Sequence, residues 1–397
     1  MNCCNIASNL KRPNTNKMIN YFAVSNYKGF LTPSDLNFLY NYRTQEASEH
    51  NVLQVMKSNM GVGSTSLYEA LYGLVTGLRD SNLTQVLEYM PHNLAESKPT
   101  ELAITFTLGN NRIAYEVDFD KDGICEEQIT FGESDQRSNT NFPVKSPSKI
   151  RRKRSARGFD FVTENAPVSY MNAVTIVEGS QSGSTNLLHL AAAAKVPECI
   201  ELLRYLNDLA ILKWDHTYMS SDRTIKEIKN LIPMIDKSNW DGLKCMVASI
   251  MDANVADIVV HEAGNICTGI TFKILVKGDV YEMNLTEQSN GTLEGIALSL
   301  QLIIASYRPS LLLWEYFDGG LNCVLAKHLT GLLCGSINPK SNALLTPKHL
   351  PNLKLLNRDS TVLLERGDNE NVFKMGYMEP LRKDKDMTCH FNERYMG

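Results

Sequence analysis

Alternating apolar and polar positions mark the first ordered part of the chain. Residues 19–30, INYFAVSNYKGF, predict a strand that ends in a polar turn, and residues 35–41 predict a second short strand. Residues 101–131 repeat the alternation in three runs, separated by turn residues at 109–111 and 122–123. Runs joined by such glycine- and asparagine-containing turns are typical of an antiparallel meander.

Apolar residues at helical spacing dominate much of the remaining chain. An apolar run at 52–56 enters a glycine-containing turn, and the spacing over 66–78 predicts a helix directly after it. The runs ADIVVHEA and GITFKILVK predict two further strands. Helices interleaved with strands predict an α/β fold class. Further helices are predicted over 186–208, 240–252 and 292–307.

Composition sets limits on the function. The chain has 397 residues, 43% of them hydrophobic, and a formal charge of −4, so it can form a large core and has no overall attraction to nucleic acid. No run is long and apolar enough for a membrane span, which predicts a cytoplasmic protein without a membrane partner. The nine cysteines are scattered without paired CxxC motifs, so neither a zinc site nor a disulfide framework is predicted.

The loop after the apolar run at 52–56 is the strongest candidate site. It reads SNMGVGST and is compared with the phosphate-binding pattern GxxxxGK[ST], in which backbone amides hold phosphate, the lysine neutralises its charge and the hydroxyl binds magnesium. The second glycine and the hydroxyl are present, but serines replace the first glycine and the lysine. The candidate nucleotide-binding residues are Ser58, Asn59, Gly61, Gly63, Ser64 and Thr65.

Several segments, in the same order along the chain, resemble the ABC-type ATPases of the AAA15/AAA21 group, which are related to SMC-like proteins and to the overcoming-lysogenisation nucleases. The matching segments include INYFAVSNYKGF, GSTSLYEAL, NLLHLAAAAKVPECIELLRYLNDL, LTEQSNGTLEGIALSLQLII and PSLLLWEYFDGGLN. The resemblance implies a P-loop NTPase fold, namely an ABC-type ATPase head with an antiparallel β lobe and an inserted helical subdomain. It also implies ATP and Mg²⁺ as ligands, a homodimer, and a nuclease or toxin partner in antiphage defence.

The resemblance assigns roles to individual residues. Ser289 and Gly291 fall in the signature turn, which in a dimer would contact the nucleotide of the partner. Glu315 and Tyr316 stand at the family's Asp-Glu pair on the magnesium strand, and Lys348 stands at the switch histidine, which becomes His349 if the register shifts by one. The implied catalytic positions are therefore Glu315, Tyr316 and Lys348, and the implied metal ligands are Thr65 and Glu315.

The family chemistry is missing at two of these positions. Ser64 replaces the main cation at the phosphates, and Tyr316 replaces the carboxylate base that would activate water. Phosphoryl transfer depends on positioning and charge stabilisation, so the two losses together predict weak or absent turnover. We therefore expect an ATPase-fold protein that binds nucleotide and acts as a regulatory or scaffold subunit, in effect a pseudo-ATPase.

Five segments are predicted along the chain. They are a flexible extension over 1–17, the first part of the ATPase core with its β meander over 18–132, a polar and basic loop over 133–158, a helical insert with strands over 159–283, and the second part of the core over 284–397.

Two alternative functions remain open. The chain could be an active ATPase that uses unusual catalytic residues to drive a nuclease or toxin. It could instead bind nucleic acid through the basic run Lys149–Arg157, KIRRKRSAR, although this run is more often a solvated loop. Two other strings resemble functional motifs but are interpreted as structural. DFDKDG predicts a β-turn, and the second GST string predicts a helix cap at Ser184 or Thr185.

Overall fold

The computed structural model describes most of the chain, in two compact units. The described residues are 17–38, 52–57, 63–92, 95–134, 144–156, 158–179, 185–215, 220–264, 266–336, 338, 340–348, 361–366 and 373–377. Described residues up to 209, together with 361–366 and 373–377, form the first unit, and residues 210–348 form the second. Residues 1–16 of the predicted extension lie outside the described residues, and Lys17 already begins a strand.

The first unit contains ten strands and five helices among its described residues. The strands are β1 (Lys17–Ser25), β2 (Ser34–Asn37), β3 (Val52–Lys57), β4 (Thr100–Leu108), β5 (Asn111–Asp120), β6 (Gly123–Ser134), β7 (Val144–Ser155), β8 (Gly158–Glu164), β15 (Thr361–Arg366) and β16 (Phe373–Tyr377). The helices are α1 (Ser64–Asp80), α2 (Leu83–Val86), α3 (Val168–Gly179), α4 (Leu187–Ala193) and α5 (Pro197–Asp208).

A seven-stranded sheet of order β2-β1-β4-β5-β6-β7-β8 forms the larger part of this unit, and each neighbouring pair in it is antiparallel. It contains the predicted meander, with Ile104 opposite Tyr115 and Tyr115 opposite Ile129. Helix α4 contacts β6 and α5 contacts β5, so the apolar residues of one sheet face are buried. The prediction of an α/β fold with an antiparallel lobe is confirmed.

The predicted loop over 133–158 is wrong for residues 144–155, which form β7 inside the sheet. Its run of charged residues has no apolar alternation, so the sequence does not resemble a strand. The strand is stable because neighbouring strands supply carboxylates opposite its cations, such as Glu126 opposite Lys153 and Glu127 opposite Arg152.

The helix predicted over 186–208 is two helices, α4 and α5. Lys195 between them has φ 64, a left-handed conformation that ends α4, and Pro197 begins α5 at the position where proline is favoured. The predicted cap at Ser184 or Thr185 is also wrong. Asn186 is the N-cap of α4, and its side chain accepts a hydrogen bond of 3.0 Å from the backbone N–H of His189.

The second unit contains six strands and four α-helices among its described residues. The strands are β9 (Ala210–Trp214), β10 (Val255–Ala263), β11 (Ile266–Val276), β12 (Asp279–Asn284), β13 (Ser310–Glu315) and β14 (Asn342–Thr346). The helices are α6 (Ser221–Leu231), α7 (Trp240–Met251), α8 (Asn290–Tyr307) and α9 (Cys323–Ser336). The strands predicted from ADIVVHEA and GITFKILVK form β10 and β11, which pair antiparallel.

The centre of the second unit is β13, a parallel strand between β9 and β14. All six of its residues are buried, as expected for an apolar strand in a parallel sheet. Helix α8 contacts this strand, and Gln301 of α8 accepts a 2.6 Å hydrogen bond from the indole of Trp314. Trp314 is fully buried in the sheet, and its polar atom has the partner that burial requires.

Candidate functional site

The phosphate-type loop is described only from Gly63 onward, so Ser58, Asn59 and Gly61 lie outside the described residues. Strand β3, which precedes the loop, pairs in parallel with β15. Gly63 is the N-cap of α1 and has φ 89, a conformation that residues with a side chain rarely adopt. The backbone therefore requires the second glycine of the motif at this position.

The start of α1 suits an anion but lacks the lysine of the phosphate-binding pattern. Ser64, at the lysine position, is 3% exposed, and Thr65 is half-buried. The first turn of α1 carries no acidic residue, so no carboxylate opposes the positive end of the helix dipole there. These residues fit a phosphate group held by backbone amides, with Thr65 as the hydroxyl, and they supply no positive side chain at residue 64.

In the second unit, the chain turns sharply after Glu315, the last residue of β13. Glu315 is 1% exposed and lies opposite Thr346 of β14. Tyr316 has φ 55, and its backbone N–H donates a 2.7 Å hydrogen bond to the carbonyl of Thr346. The N–H of Gly319 donates to the carbonyl of Tyr316 at 3.0 Å, which closes the turn. A left-handed conformation at a bulky residue is strained, and such strain is concentrated at functional positions.

Asp318 holds this turn to the segment after β14, a role that the sequence analysis missed. It is 3% exposed, and its Oδ1 accepts a 2.6 Å hydrogen bond from the backbone N–H of Lys348. The side chain of Lys348 is exposed, and His349 lies outside the described residues. The only sequence signal for Asp318 is its place in the string DGG after a buried strand.

Asn322, which follows the turn after β13, accepts a 2.8 Å hydrogen bond from the N–H of Leu325. It therefore acts as a cap for α9.

The predicted signature turn forms the start of α8. Ser289 is the N-cap, and its hydroxyl accepts a 3.3 Å hydrogen bond from the N–H of Thr292. A Cβ placed on Gly291 would lie 2.9 Å from the carbonyl oxygen of Gly320. The structure thus brings the signature turn against the turn after β13, and only a glycine at 291 permits this approach.

The predicted site residues therefore fall into two groups. Gly63, Ser64 and Thr65 belong to the first unit. The second unit brings together the signature turn and the turn after β13, where Gly291 lies against the carbonyl oxygen of Gly320. The second group consists of Ser289, Gly291, Glu315, Tyr316 and Lys348.

The basic run on β7 is paired with carboxylates of β5, β6 and β8. Lys149 lies 3.6 Å from Glu164, and Lys153 lies 3.6 Å from Glu126. Arg157 lies outside the described residues. The three arginines of the strand also form ion pairs, namely Arg151 with Glu126, Arg152 with Glu127 and Arg154 with Asp120.

The described residues contain neither a cluster of metal ligands nor a membrane-spanning helix. No group of three or more His, Cys, Asp or Glu residues is placed to hold a metal ion in the described part of the chain. None of the helices that the structure describes is long and apolar enough to cross a membrane.

Comparison with solved structures finds SMC head domains. The head domain from Thermotoga maritima shares 10% identity, with 91% of this chain and 100% of that chain covered and a TM-score of 0.46. An SmcHead bound to the C-winged helix domain of ScpA shares 13% identity, with 91% of this chain and 97% of that chain covered and a TM-score of 0.43. A Smc head domain with an extended coiled coil, bound to the C-terminal domain of ScpA derived from Pyrococcus furiosus, shares 12%, covering 91% and 96%, with a TM-score of 0.40.

No family model and no curated protein matches the sequence. Because the TM-scores are all below 0.5, the function proposed below rests on the residues of this chain.

Proposed function

We propose that this protein is an ATPase-fold nucleotide-binding subunit with weak or absent ATP hydrolysis. The observation that carries the proposal is the conformation of Gly63. A glycine with φ 89 at the N-cap of a 17-residue helix, after a strand with a parallel neighbour, is what a phosphate-binding loop requires. The proposed ligand is ATP with Mg²⁺, held at its phosphates by backbone amides of the loop.

The residues that would hold magnesium are Thr65 and Glu315, as the sequence resemblance implies. Bound Mg²⁺ would neutralise part of the phosphate charge, which matters more here because Ser64 supplies no cation. Glu315 ends a fully buried strand, so its carboxylate is held by the sheet. A carboxylate can act as a metal ligand even where the neighbouring base is missing.

Weak turnover is proposed because of Ser64 and Tyr316. A catalytic base must accept a proton from the attacking water, and a neutral phenol is poorly suited to that task. The strained backbone of Tyr316 supports a structural role, because its N–H bonds to Thr346 of β14 and its C=O closes the turn after β13. We propose that this turn changes conformation when nucleotide binds and takes no part in catalysis.

The proposed assembly is a homodimer in which the Ser289–Gly291 turn meets the nucleotide of the partner subunit. A nuclease or toxin as a further partner, and a role in antiphage defence, are proposed from the sequence resemblance alone.

Calorimetry with ATP and Mg²⁺ tests nucleotide binding. We expect binding in the micromolar range, with loss of affinity in Thr65→Ala and in Gly63→Val, because valine cannot easily adopt φ 89. Gly109→Val is the matched control: Gly109 also has a positive φ, 64, but lies in the turn between β4 and β5. An absence of binding at millimolar ATP, or equal loss of affinity in the control, would contradict the proposal.

The active-ATPase alternative is tested by turnover. The wild-type protein would be an active ATPase if it released phosphate from ATP and if Glu315→Gln abolished this release while still binding ATP. That result would contradict the pseudo-ATPase proposal. The nucleic-acid alternative is weakened by the ion pairs of β7, since paired cations have less charge to offer a phosphate backbone. Salt-dependent binding of nucleic acid that is lost in an Arg151→Gln, Lys153→Gln variant would support the nucleic-acid alternative.

A further inference from the structure

A carboxylate on α8 reaches the turn that follows β13. Glu294 is 7% exposed, and its carboxylate accepts a hydrogen bond from the backbone N–H of Gly320. A Cβ on Gly320 would lie 2.6 Å from Oε1 of Glu294, which is far too close. The contact therefore depends on a glycine at 320 as well as on the carboxylate.

Gly320 contacts two residues of α8. Its N–H contacts Glu294, and its carbonyl oxygen lies against the backbone of Gly291, where an added Cβ would be 2.9 Å away. Since the second neighbour is a backbone atom, it cannot move aside as a side chain could. The first turns of α8 and the turn after β13 are thus in direct contact at one residue.

The buried carboxylate of Glu294 is compensated. Burial raises its pKa above the usual value, while the N–H of Gly320 and the charge of Lys348 lower it. Lys348 is also the residue whose backbone N–H is held by Asp318 of the same turn. Glu294 therefore faces a backbone donor and a cation that are both tied to the turn after β13.

We propose that Glu294 is a positioning residue that fastens the turn after β13 to the start of α8, so that the Ser289–Gly291 turn and residues 316–320 shift as one body. The inference rests on the proposed function, in which the signature turn and Glu315 both respond to nucleotide. It supplies the link by which a change at one turn reaches the other.

Hydrogen exchange measured by mass spectrometry on the full chain tests this link. In Glu294→Leu, the N–H of Gly320 loses its acceptor, and we expect amides of 316–320 to exchange about 10- to 100-fold faster, as loss of a hydrogen bond to a charged group implies. Glu294→Gln is the matched variant: its side-chain oxygen still accepts the bond, so it should restore most of the protection. A general packing role would not give this rescue.

A second variant tests the same contact in case Glu294→Leu does not fold. Gly320→Ala keeps the carboxylate but displaces it, and it should expose the same amides while the exchange of β10–β12 stays unchanged. Unchanged exchange at 316–320 in both Glu294→Leu and Gly320→Ala would overturn the proposal. Equal acceleration throughout the second unit in both variants would overturn it as well.

ATP titrations separate this inference from the proposed function. If the wild-type protein binds no ATP, the proposed function fails, and the exchange experiment still decides the role of Glu294. If the wild-type protein binds ATP, we expect ATP to protect amides of 316–320, and to protect them less in Glu294→Leu than in Glu294→Gln. Equal protection in the two variants would contradict this inference alone.

Discussion

The buried ion pair between Arg152 and Glu127 provides the sharpest test of the first unit. Both side chains are 0% exposed, and the pair joins β7 to β6. Glu127 also accepts hydrogen bonds from the hydroxyl of Tyr115 and from the N–H of Leu187, which is 3.2 Å from each carboxylate oxygen. The guanidinium of Arg152 donates to the carbonyl of Thr185 at 2.8 Å. The cluster therefore connects the sheet to the start of α4.

The expected perturbation is the change Glu127→Gln. The amide keeps the shape of the side chain but removes the charge, so the buried Arg152 guanidinium loses the counter-charge of Glu127. Removing one partner of a buried ion pair costs about 3–5 kcal/mol, and we expect a loss of unfolding free energy in that range. Tyr115 contributes a neutral donor, because burial and the neighbouring Glu127 keep its pKa well above the usual value. Tyr115→Phe should therefore cost only about 1–2 kcal/mol.

Urea unfolding followed by far-UV circular dichroism measures the loss. Circular dichroism is preferred because Trp214, Trp240 and Trp314 all lie in the second unit, so tryptophan fluorescence does not report directly on the first. Glu126→Gln is the matched control: Glu126 is the adjacent residue on β6, and it pairs with Arg151 at a partly exposed site. An exposed ion pair contributes about 0–1 kcal/mol, so the control should unfold almost as the wild type does.

The double variant Glu127→Leu, Arg152→Met completes the test. Replacing both charges by apolar residues removes the cation that Glu127→Leu leaves buried, so the double variant should be more stable than Glu127→Leu, although Tyr115 and Leu187 still lose the carboxylate acceptor. The reasoning would be refuted if Glu127→Gln lost no more free energy than Glu126→Gln. It would also be refuted if the double variant were less stable than both single variants.

Three further predictions follow from single contacts. Asp118 has a pKa raised from 3.8 to about 6 by burial and then by neighbouring carboxylates, so its ionisation destabilises the fold as pH rises through that window. In urea unfolding, Asp118→Asn should therefore be more stable than the wild type at pH 7.5 and equal to it below pH 3.8. Equal stability of the two proteins at both pH values would contradict this. Asn186→Ala removes the cap of α4 and a 3.1 Å bond to the carbonyl of Gly77, and thermal unfolding should show a loss of about 1–2 kcal/mol that Asn186→Asp partly avoids. Gln301→Leu leaves the buried indole N–H of Trp314 without its acceptor, so tryptophan-detected unfolding should show a loss of about 1–3 kcal/mol, and no loss would mean that another acceptor replaces it.

The sequence alone determined those elements whose stability depends on local periodicity. The meander strands β4 to β6 carry an alternating apolar pattern and helix α8 carries a long apolar run, and these patterns predicted the four elements because the spacing of apolar residues is a short-range property of the chain. The replacements at Ser64 and Tyr316 were also evident, since residue type at a motif position needs no structure.

The tertiary structure decided where charged and polar groups find partners. Strand β7 reads as a loop because the sequence cannot show that carboxylates of β6 lie opposite its cations. The contact between Glu294 and Gly320 joins residues far apart in sequence, and the left-handed backbone of Tyr316 is held by a hydrogen bond to the carbonyl of Thr346 on β14. A buried charge or a strained backbone is stable only when distant residues compensate it, and the distance of those residues in sequence is the reason why local pattern cannot predict them.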